Sequence, residues 1–377
     1  MKCVRGLLLI SALLTGNVLS AQDSLYTRRI LDDLTSRRMH GRGYVKNGCN
    51  KAGKYLEKEF RKIGLQPLEG KEYRQHFELP INVFPGHPSL EIDGRTLSPG
   101  VDFLVAPGSP PASGVYDIVT VRSPLDVLDM VAMKGKWLFL DTIGSGVNFS
   151  KEDLKRWKNN LKDVAGILYA EPKKLTWSVS RSRNTTPELT VLQSSLDKNP
   201  TKVRVKVNSE LIEEYSVFNV IGTIPGSINS DTTLYVTAHY DHLGGLGPKT
   251  RFPGANDNAS GVSMLLNIAM HFMKPEYRPR HRMVFIAFAA EEAGLVGSKH
   301  YTEQPWTPLS KIKFLLNLDL MGTGEDGMMV VNATEHPVQF QELDSLNTIS
   351  GGLKEIRQRG KAANSDHYWF SENGVPA

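Results

Sequence analysis

Cysteine is almost absent from this 377-residue sequence, which contains only Cys3 and Cys49. Cys3 lies in an N-terminal segment that we expect to be removed, so an intrachain disulfide is excluded from the mature chain. Cys3 also precedes the apolar run of that segment, whereas the attachment cysteine of a lipoprotein follows it. The two cysteines therefore predict neither a disulfide framework nor a lipid anchor.

Long apolar runs are missing after the first twenty residues. The chain begins with Lys2 and Arg5, continues with an apolar run over residues 7–14, and has small residues near 18–21. This pattern is typical of a secretory signal peptide, here residues 1–20, and the run is too short to span a bilayer. An N-terminal membrane anchor is the alternative. We therefore predict a secreted or periplasmic protein without a membrane span.

The sequence also lacks a basic stripe with interleaved aromatic residues, an internal repeat and a low-complexity tract. Its 45 Lys and Arg residues and 40 Asp and Glu residues give a formal charge of +5, and the basic residues are scattered. This distribution argues against a nucleic-acid partner. The apolar fraction of 40% is typical of globular proteins, and the length favours one large domain with a smaller one.

Three stretches of the chain differ in their apolar pattern. Apolar residues at helical spacing predict helices over 24–38 and 50–63. Residues 86–214 contain short β-like runs among Pro, Gly and Ser, which predicts a smaller β-rich domain. From Phe218 strands alternate with helices, which predicts an α/β fold with a mostly parallel central sheet flanked by helices. We therefore predict a catalytic domain over 21–85 and 215–377, with residues 86–214 inserted into it.

Polar side chains follow three predicted strands, near 234–240, 283–289 and 314–318. Because ligands of an open α/β sheet gather beyond the carboxyl ends of its strands, we expect these side chains to meet at one edge. A further carboxylate lies in the loop that opens a long predicted helix, near the positive end of its dipole. In chain order the side chains are His239, Asp241, Asp257, Glu291, Glu292 and Asp319.

Carboxylates gathered in this way repel one another unless protons or cations neutralise them. Histidine and carboxylate ligands without a thiol indicate divalent metal ions, with zinc as the leading candidate. Two metals about 3.5–4 Å apart need a bridging carboxylate, and Asp257 is the natural bridge. Taken singly, each of these residues also has a purely structural interpretation. His239 could be a packed histidine at a strand end, Glu291 and Glu292 could be solvated, and Asp319 could cap a helix.

Five segments, in this order, resemble the di-zinc aminopeptidase family, which includes bacterial leucyl aminopeptidases, glutamate carboxypeptidase and, more distantly, the glutaminyl cyclases. Residues 86–214 are more loosely similar to a protease-associated domain, through Lys134-Gly135-Lys136 and Ala165-Gly166-Ile167. The five segments are AHYDHLG at 238–244, PGANDNASG at 253–261, AEEAGLVGS at 290–298, NLDLMG at 317–322 and SDH at 365–367.

The resemblance implies two zinc ions. In the family pattern His239 and Asp319 hold one ion, Glu292 and His367 hold the other, and Asp257 bridges them.

The resemblance also implies roles for two residues that do not bind metal. Glu291 is expected to be the general base, and Asp241 to accept a hydrogen bond from the His239 ring. Tyr368 is a candidate donor to the oxyanion by position alone, and a packed aromatic residue is the alternative.

The implied activity is that of a secreted zinc-dependent aminopeptidase acting on peptides with a free N-terminus. The alternatives are a carboxypeptidase, which would need Arg side chains to grip a substrate carboxylate, a glutaminyl cyclase, or an inactive, truncated metal-binding relative. The last arises because the chain ends at Ala377, ten residues after His367. In the family a further strand, a His-Thr-Pro segment and a helix follow, so we expect them to be missing here.

Overall fold

The computed structural model describes residues 23–70, 72–122, 133–141 and 163–377, and the predicted signal peptide lies outside these residues. The described helices are α1 (Ser24–Thr35), α2 (Gly48–Ile63), α3 (Gly261–Phe272), α4 (Val296–Glu303), α5 (Pro337–Ser350) and α6 (His367–Glu372). The described strands are β1 (Arg74–Val83), β2 (Ser89–Ile92), β3 (Arg95–Leu97), β4 (Phe103–Val105), β5 (Ala112–Val121), β6 (Trp137–Leu140), β7 (Gly166–Glu171), β8 (Glu188–Leu192), β9 (Lys202–Val207), β10 (Glu210–Ile224), β11 (Thr233–His239), β12 (Gly244–Leu246), β13 (Thr250–Phe252), β14 (Arg282–Phe288), β15 (Ile312–Asn317), β16 (Met328–Val330) and β17 (Ile356–Gln358).

The first of the two large sheets has five strands, in the order β1-β10-β14-β11-β15. β11 pairs in parallel with both β14 and β15, whereas β10 pairs antiparallel with β14 and with β1. Four strands of this sheet therefore run in one direction and β10 runs against them. The predicted α/β fold with a mostly parallel central sheet is confirmed.

Helices cover both faces of this sheet because its strands carry apolar side chains on both sides. Val236 on β11 faces the core that α1, α2 and α3 complete, and its neighbour Tyr235 faces a second core with Tyr301 of α4 and Phe370 of α6. This two-sided burial is typical of a strand that is covered on both faces. None of the helices in the described ranges is long and apolar enough to cross a membrane.

An eight-stranded sheet lies between β1 and β10 in the chain, with the order β3-β2-β9-β5-β6-β7-β8-β4. Its strands fall within the predicted insert, and its main core contains Phe103, Trp137 and Val205. The boundaries at residues 86 and 214 stay a prediction. The second boundary falls inside β10, which continues as one strand from Glu210 to Ile224.

The hairpin of β12 and β13 joins the two sheets. Leu246 is fully buried in the core of the eight-stranded sheet, although it belongs to the segment between His242 and Asp257. The Phe252 ring stacks on Trp177 with ring centroids 4.9 Å apart. The loop that leads from one predicted site residue to the next is therefore held by the eight-stranded sheet.

Candidate metal centre

The carboxyl ends of three neighbouring strands form the site. His239 is the last residue of β11 and is in register with Phe288, the last residue of β14. After β14 and β15 the chain turns at Ala290 and Leu320, each with a φ of 58°, in the left-handed region. These turns end the two strands. They direct Glu291 and Glu292, which follow Ala290, and Asp319, which precedes Leu320, to the same edge of the sheet, as expected for an open α/β sheet.

The first group of donor atoms surrounds the buried imidazole of His239. Its Nε2 lies 3.4 Å from Asp257 Oδ1, 3.4 Å from Asp319 Oδ1 and 3.9 Å from Glu291 Oε2. Two ligand atoms on one tetrahedral zinc ion are about 3.3–3.5 Å apart, given zinc–ligand distances of 2.0–2.2 Å. The separations of the Asp257 and Asp319 oxygens from Nε2 fit this spacing, and that of the Glu291 oxygen is longer.

The second group lies around His242. Its Nδ1 is 2.6 Å from Glu292 Oε1 and 3.9 Å from Asp257 Oδ1. Asp257 Oδ1 thus lies between the two histidines, at the position expected for a bridging carboxylate. The Asp257 side chain is 41% exposed, so this carboxylate is partly accessible to solvent.

The electrostatics of the cluster favour bound cations. Burial raises the pKa of Glu291 to about 9; His239 opposes this shift, and the charges of Asp366 and Asp241 add to it. Burial and the charge of Glu292 also raise the pKa of Asp257. Positive charge in the site would remove this penalty on the ionised carboxylates.

Asp319 carries a further sign of a missing partner. Its Oδ1 is buried and forms no well-aligned hydrogen bond within the described residues, although His239 Nε2 lies 3.4 Å away. Burial opposes ionisation of this carboxyl, but His239 and Ser365 outweigh burial and lower its pKa. An ionised, buried oxygen that forms no well-aligned hydrogen bond and lies at ligand spacing from an imidazole nitrogen is a suitable metal ligand, so the residues present fit a divalent ion.

Asp241 holds the glutamate pair in place. Its fully buried carboxylate accepts the backbone N–H of Glu291 at 3.0 Å and the backbone N–H of Glu292 at 3.2 Å. The predicted hydrogen bond to His239 is not formed at this geometry, because Asp241 Oδ1 and His239 Nδ1 are 3.7 Å apart. The side chain therefore orients both glutamates, and its charge faces the imidazole at a longer distance.

Arg42 is the second buried residue that organises the site, and it is not among the predicted site residues. Its guanidinium is fully buried and, within the described part of the chain, donates to backbone carbonyls. The acceptors include the oxygens of Tyr240 at 2.8 Å, Pro253 at 2.6 Å, Gly254 at 2.7 Å and Asp257 at 3.0 Å. One side chain thereby joins the end of β11 to the loop that carries Asp257.

The glycines on either side of Arg42 allow this insertion. A Cβ atom on Gly41 would lie 2.3 Å from the carbonyl oxygen of Gly244, and one on Gly43 would lie 2.4 Å from the Gly244 Cα atom. Only glycine permits so close an approach of two backbones. The Gly-Arg-Gly pattern is the sequence signal from which the role of Arg42 could have been found.

The predicted ligand His367 does not join either group of donor atoms. Its Nε2 lies 3.0 Å from the carbonyl oxygen of Ala362, and the residue is buried at the start of α6. Tyr368, the candidate oxyanion donor, packs with its ring centroid 4.9 Å from that of Trp369. The structure thus brings together four of the five predicted ligands, and it adds His242, which the sequence analysis did not single out.

Comparison with known proteins shows which family the sequence resembles. Residues 219–377 match the sequence profile of peptidase family M28. A probable leucine aminopeptidase of Trichophyton verrucosum is 29% identical over 242 residues, which cover 60% of this chain and 60% of that relative. Aminopeptidase YwaD of Bacillus subtilis is 33% identical over 172 residues, or 42% of this chain and 34% of the relative. The chain thus spans less than two thirds of the length of these relatives.

Solved structures give the same fold. A zinc aminopeptidase from Bacillus subtilis superposes with a TM-score of 0.69 at 20% identity, covering 93% of this chain and 83% of that one. A peptidase M28 precursor from Shewanella amazonensis gives a TM-score of 0.63 at 17% identity, with coverage of 94% and 84%. The predicted resemblance to an aminopeptidase family and the predicted fold are both confirmed.

Proposed function

We propose that this chain, whose residues 219–377 match peptidase family M28, is a zinc-dependent aminopeptidase. The observation that carries the proposal is the placement of Asp257 Oδ1 between two histidines, 3.4 Å from His239 and 3.9 Å from His242. Each histidine has further carboxylates beside it. Relatives described as leucine aminopeptidases and zinc metalloproteases support the same activity.

We assign one zinc ion to His239, Asp319 and the shared Asp257, and the second to Asp257 and Glu292 with one further donor. The family pattern gives that further place to His367. When bound, the two ions would supply a water of lowered pKa and polarise the scissile carbonyl.

Glu291 is the proposed general base. Its carboxylate lies at the edge of the first group, 3.9 Å from His239 Nε2, and its side chain is 13% exposed. In this position it can take a proton from the attacking water and deliver it to the leaving amine.

The charge of the site favours the N-terminus of a peptide. The exposed side of Asp257 and the glutamate pair offer carboxylate oxygens that attract an ammonium group or accept a hydrogen bond from a neutral amine. A carboxypeptidase would need a cationic clamp. Arg42 is near the site, but it is fully buried and its donors are taken by backbone carbonyls.

Hydrolysis of one tetrapeptide in free, N-acetylated and C-amidated forms tests the proposal. We expect stepwise release of N-terminal residues from the free and amidated forms, and a loss of turnover by orders of magnitude on N-acetylation. Release of the C-terminal residue from the acetylated form would instead establish a carboxypeptidase. Formation of pyroglutamate from an N-terminal Gln peptide, without cleavage, would establish a cyclase.

We also propose that residues 1–20 are a signal peptide and that the enzyme acts after export, to the periplasm or the medium. The basic start and the short apolar run of the sequence support this. Mass spectrometry of the N-terminal peptide of the exported protein tests the proposed cleavage. Recovery of exported protein that still carries Met1 would contradict it. Residues 86–214 are proposed to be the protease-associated-like domain of this enzyme.

A further inference from the structure

We propose that Asn258, together with Asn256 and Ser260, positions the bridging carboxylate of Asp257 relative to the carboxylate of Asp319. The inference rests on the proposed function, because these two carboxylates are assigned to the same zinc ion. The three side chains lie on the loop that carries the first carboxylate and reach the turn that follows the second. They are not metal ligands, so they act through the two aspartates.

Asn258 makes the central contacts, and its side chain is fully buried. Its Nδ2 donates to the carbonyl oxygen of Leu318 at 2.9 Å, and its Oδ1 accepts the N–H of Leu320 at 3.3 Å. These two backbone groups flank Asp319 on either side. The same Oδ1 accepts the N–H of Gly261 at 3.0 Å. One buried amide thus joins the turn after β15 to the start of α3.

Two neighbouring side chains hold the same turn at further points. The N–H of Met321 donates to Ser260 Oγ at 2.9 Å, and the N–H of Gly322 donates to Asn256 Oδ1 at 2.8 Å. The Ser260 hydroxyl also donates to the carbonyl oxygen of Asn256 at 2.6 Å, which fixes the loop internally. With the contact described above, three successive backbone N–H groups of the turn are accepted by side chains of one loop. The two loops therefore behave as one unit.

Glycines at the boundary allow this close packing. A Cβ atom on Gly261 would lie 2.3 Å from Asn258 Oδ1 and 2.4 Å from the carbonyl oxygen of Leu318. A Cβ atom on Gly322 would lie 2.8 Å from Asn256 Oδ1. No side chain fits between the two loops at these points, so their separation is set by the hydrogen bonds themselves.

The separation of the two loops matters for the metal site. Asp257 Oδ1 and Asp319 Oδ1 each lie 3.4 Å from His239 Nε2, the spacing of ligands on one zinc ion. Metal–ligand distances tolerate deviations of only about 0.2 Å, so a small movement of one loop against the other would displace a carboxylate from the ion. Contacts that orient ligands in this way typically change metal affinity by about 10–100-fold.

Zinc affinity of matched variants tests the inference without relying on activity. Asn258→Ala should bind zinc about 10–100-fold more weakly than the wild type. Asn258→Asp keeps the acceptor oxygen for both N–H groups, so it should bind zinc at least about threefold more tightly than the alanine variant. Competition with a chromophoric chelator gives the affinities, and the visible spectrum of the Co²⁺-substituted protein reports a changed ligand geometry.

Asn267→Ala is the matched control, because Asn267 is also a buried asparagine of this region. Its Nδ2 donates to the carbonyl oxygen of Ser263 at 2.9 Å and to Thr27 Oγ1 at 2.8 Å, away from the metal ligands. Urea denaturation of the metal-free proteins should show a similar loss of stability for both alanine variants. Only Asn258→Ala should lose zinc affinity and change the Co²⁺ spectrum.

The inference is overturned if Asn258→Ala binds zinc as tightly as the wild type, or if Asn267→Ala loses as much affinity. Should Asn258→Ala fail to fold, Asn256→Ala removes one contact of a half-buried side chain and should weaken zinc binding by about 3–10-fold. Unchanged affinity in that variant would also overturn the inference. A wild-type protein that takes up no zinc would overturn the proposed function itself, and this inference with it.

Discussion

Glu291 and Glu292 are adjacent in the sequence, yet their side chains lie in different groups of donor atoms. Asp241 makes this division possible, because its carboxylate accepts both backbone N–H groups and fixes the turn after β14. Glu291 faces His239, and Glu292 faces His242. These two glutamates therefore have different proposed roles because their side chains point in different directions.

The glutamate pair gives the first prediction at this scale. Glu291→Gln should keep both metal ions and lower kcat by about 10²–10⁴, the size of a general-base contribution. Glu292→Gln should instead lose an ion, because an amide is a poorer ligand than a carboxylate. Steady-state kinetics and elemental analysis of the two variants check this, and identical behaviour in both measurements would contradict the division.

Arg42 gives a second prediction. In Arg42→Lys a single ammonium group cannot reach the carbonyls that the planar guanidinium joins, so several buried oxygens lose their donor. We expect a loss of about 2–3 kcal/mol in the free energy of unfolding and weaker metal binding. Chemical denaturation and metal titration measure both effects.

Arg38→Lys is the matched control, because Arg38 is 62% exposed and pairs with Asp33 on the surface. It should leave both quantities close to those of the wild type. Equal stability and equal metal affinity for Arg42→Lys would show that Arg42 does not organise the site.

The elements around the site differ in how far the sequence predicts them. The helices predicted over 24–38 and 50–63 are Ser24–Thr35 and Gly48–Ile63, because their apolar residues recur at helical spacing and face one core. Strand ends with polar residues likewise predict the edge at which the site lies. Local patterns succeed there because the same residues determine both the element and its burial.

Other features depend on packing that no local pattern contains. The hairpin of β12 and β13 has no alternation of apolar residues, and its position is set by burial of Leu246 against the other sheet. The charged start of β10 is a strand because it pairs with β1, so the predicted boundary at 214 fell within it. The position of His242 depends on contacts with two other segments. Gly254 lies on the loop that carries Asp257, and Arg42 lies far earlier in the chain.

The hairpin supplies an element-scale prediction. Leu246→Ala should lower the free energy of unfolding by about 2–4 kcal/mol, as expected for a fully buried leucine. It should also weaken metal binding, since the hairpin joins the segment of His242 to that of Asp257. Leu138→Ala is the control, because Leu138 is fully buried in a separate core of the eight-stranded sheet. An equal effect of both variants on metal affinity would contradict the role of the hairpin.

Helix α2 supplies a prediction on pH. The buried carboxylate of Glu59 contacts Arg29 at 2.9 Å and Lys62 at 2.6 Å. Burial alone would raise its pKa, but the two cations outweigh burial and lower it. A lowered pKa in the folded state means that the carboxylate stabilises the fold above its ordinary pKa of about 4.5, and that this contribution is lost as the pH falls through the folded-state value.

Glu59→Gln should therefore reduce the free energy of unfolding by about 1 kcal/mol at pH 7, a modest value because solvent screens both exposed cations. The difference from the wild type should shrink below pH 4. Urea denaturation at pH 7 and pH 3.5 measures it, with the exposed Glu78→Gln as control. A difference that is independent of pH would assign the effect to packing instead.

At the scale of the whole molecule, two sheets converge on one cluster of charge. The five-stranded sheet presents His239 and the strand-end carboxylates, and the eight-stranded sheet holds the hairpin that leads to Asp257. The raised pKa values of Glu291 and Asp257 indicate that the cluster lacks positive charge by itself. Two divalent ions would compensate for this charge, as the proposed chemistry requires.

The most direct test of this account is the zinc content of protein purified without chelator, measured together with hydrolysis of an unblocked peptide. The account predicts close to two equivalents of zinc, loss of hydrolysis when a chelator removes them, and recovery on addition of zinc. A protein that hydrolyses the peptide at an undiminished rate with no bound metal would contradict it.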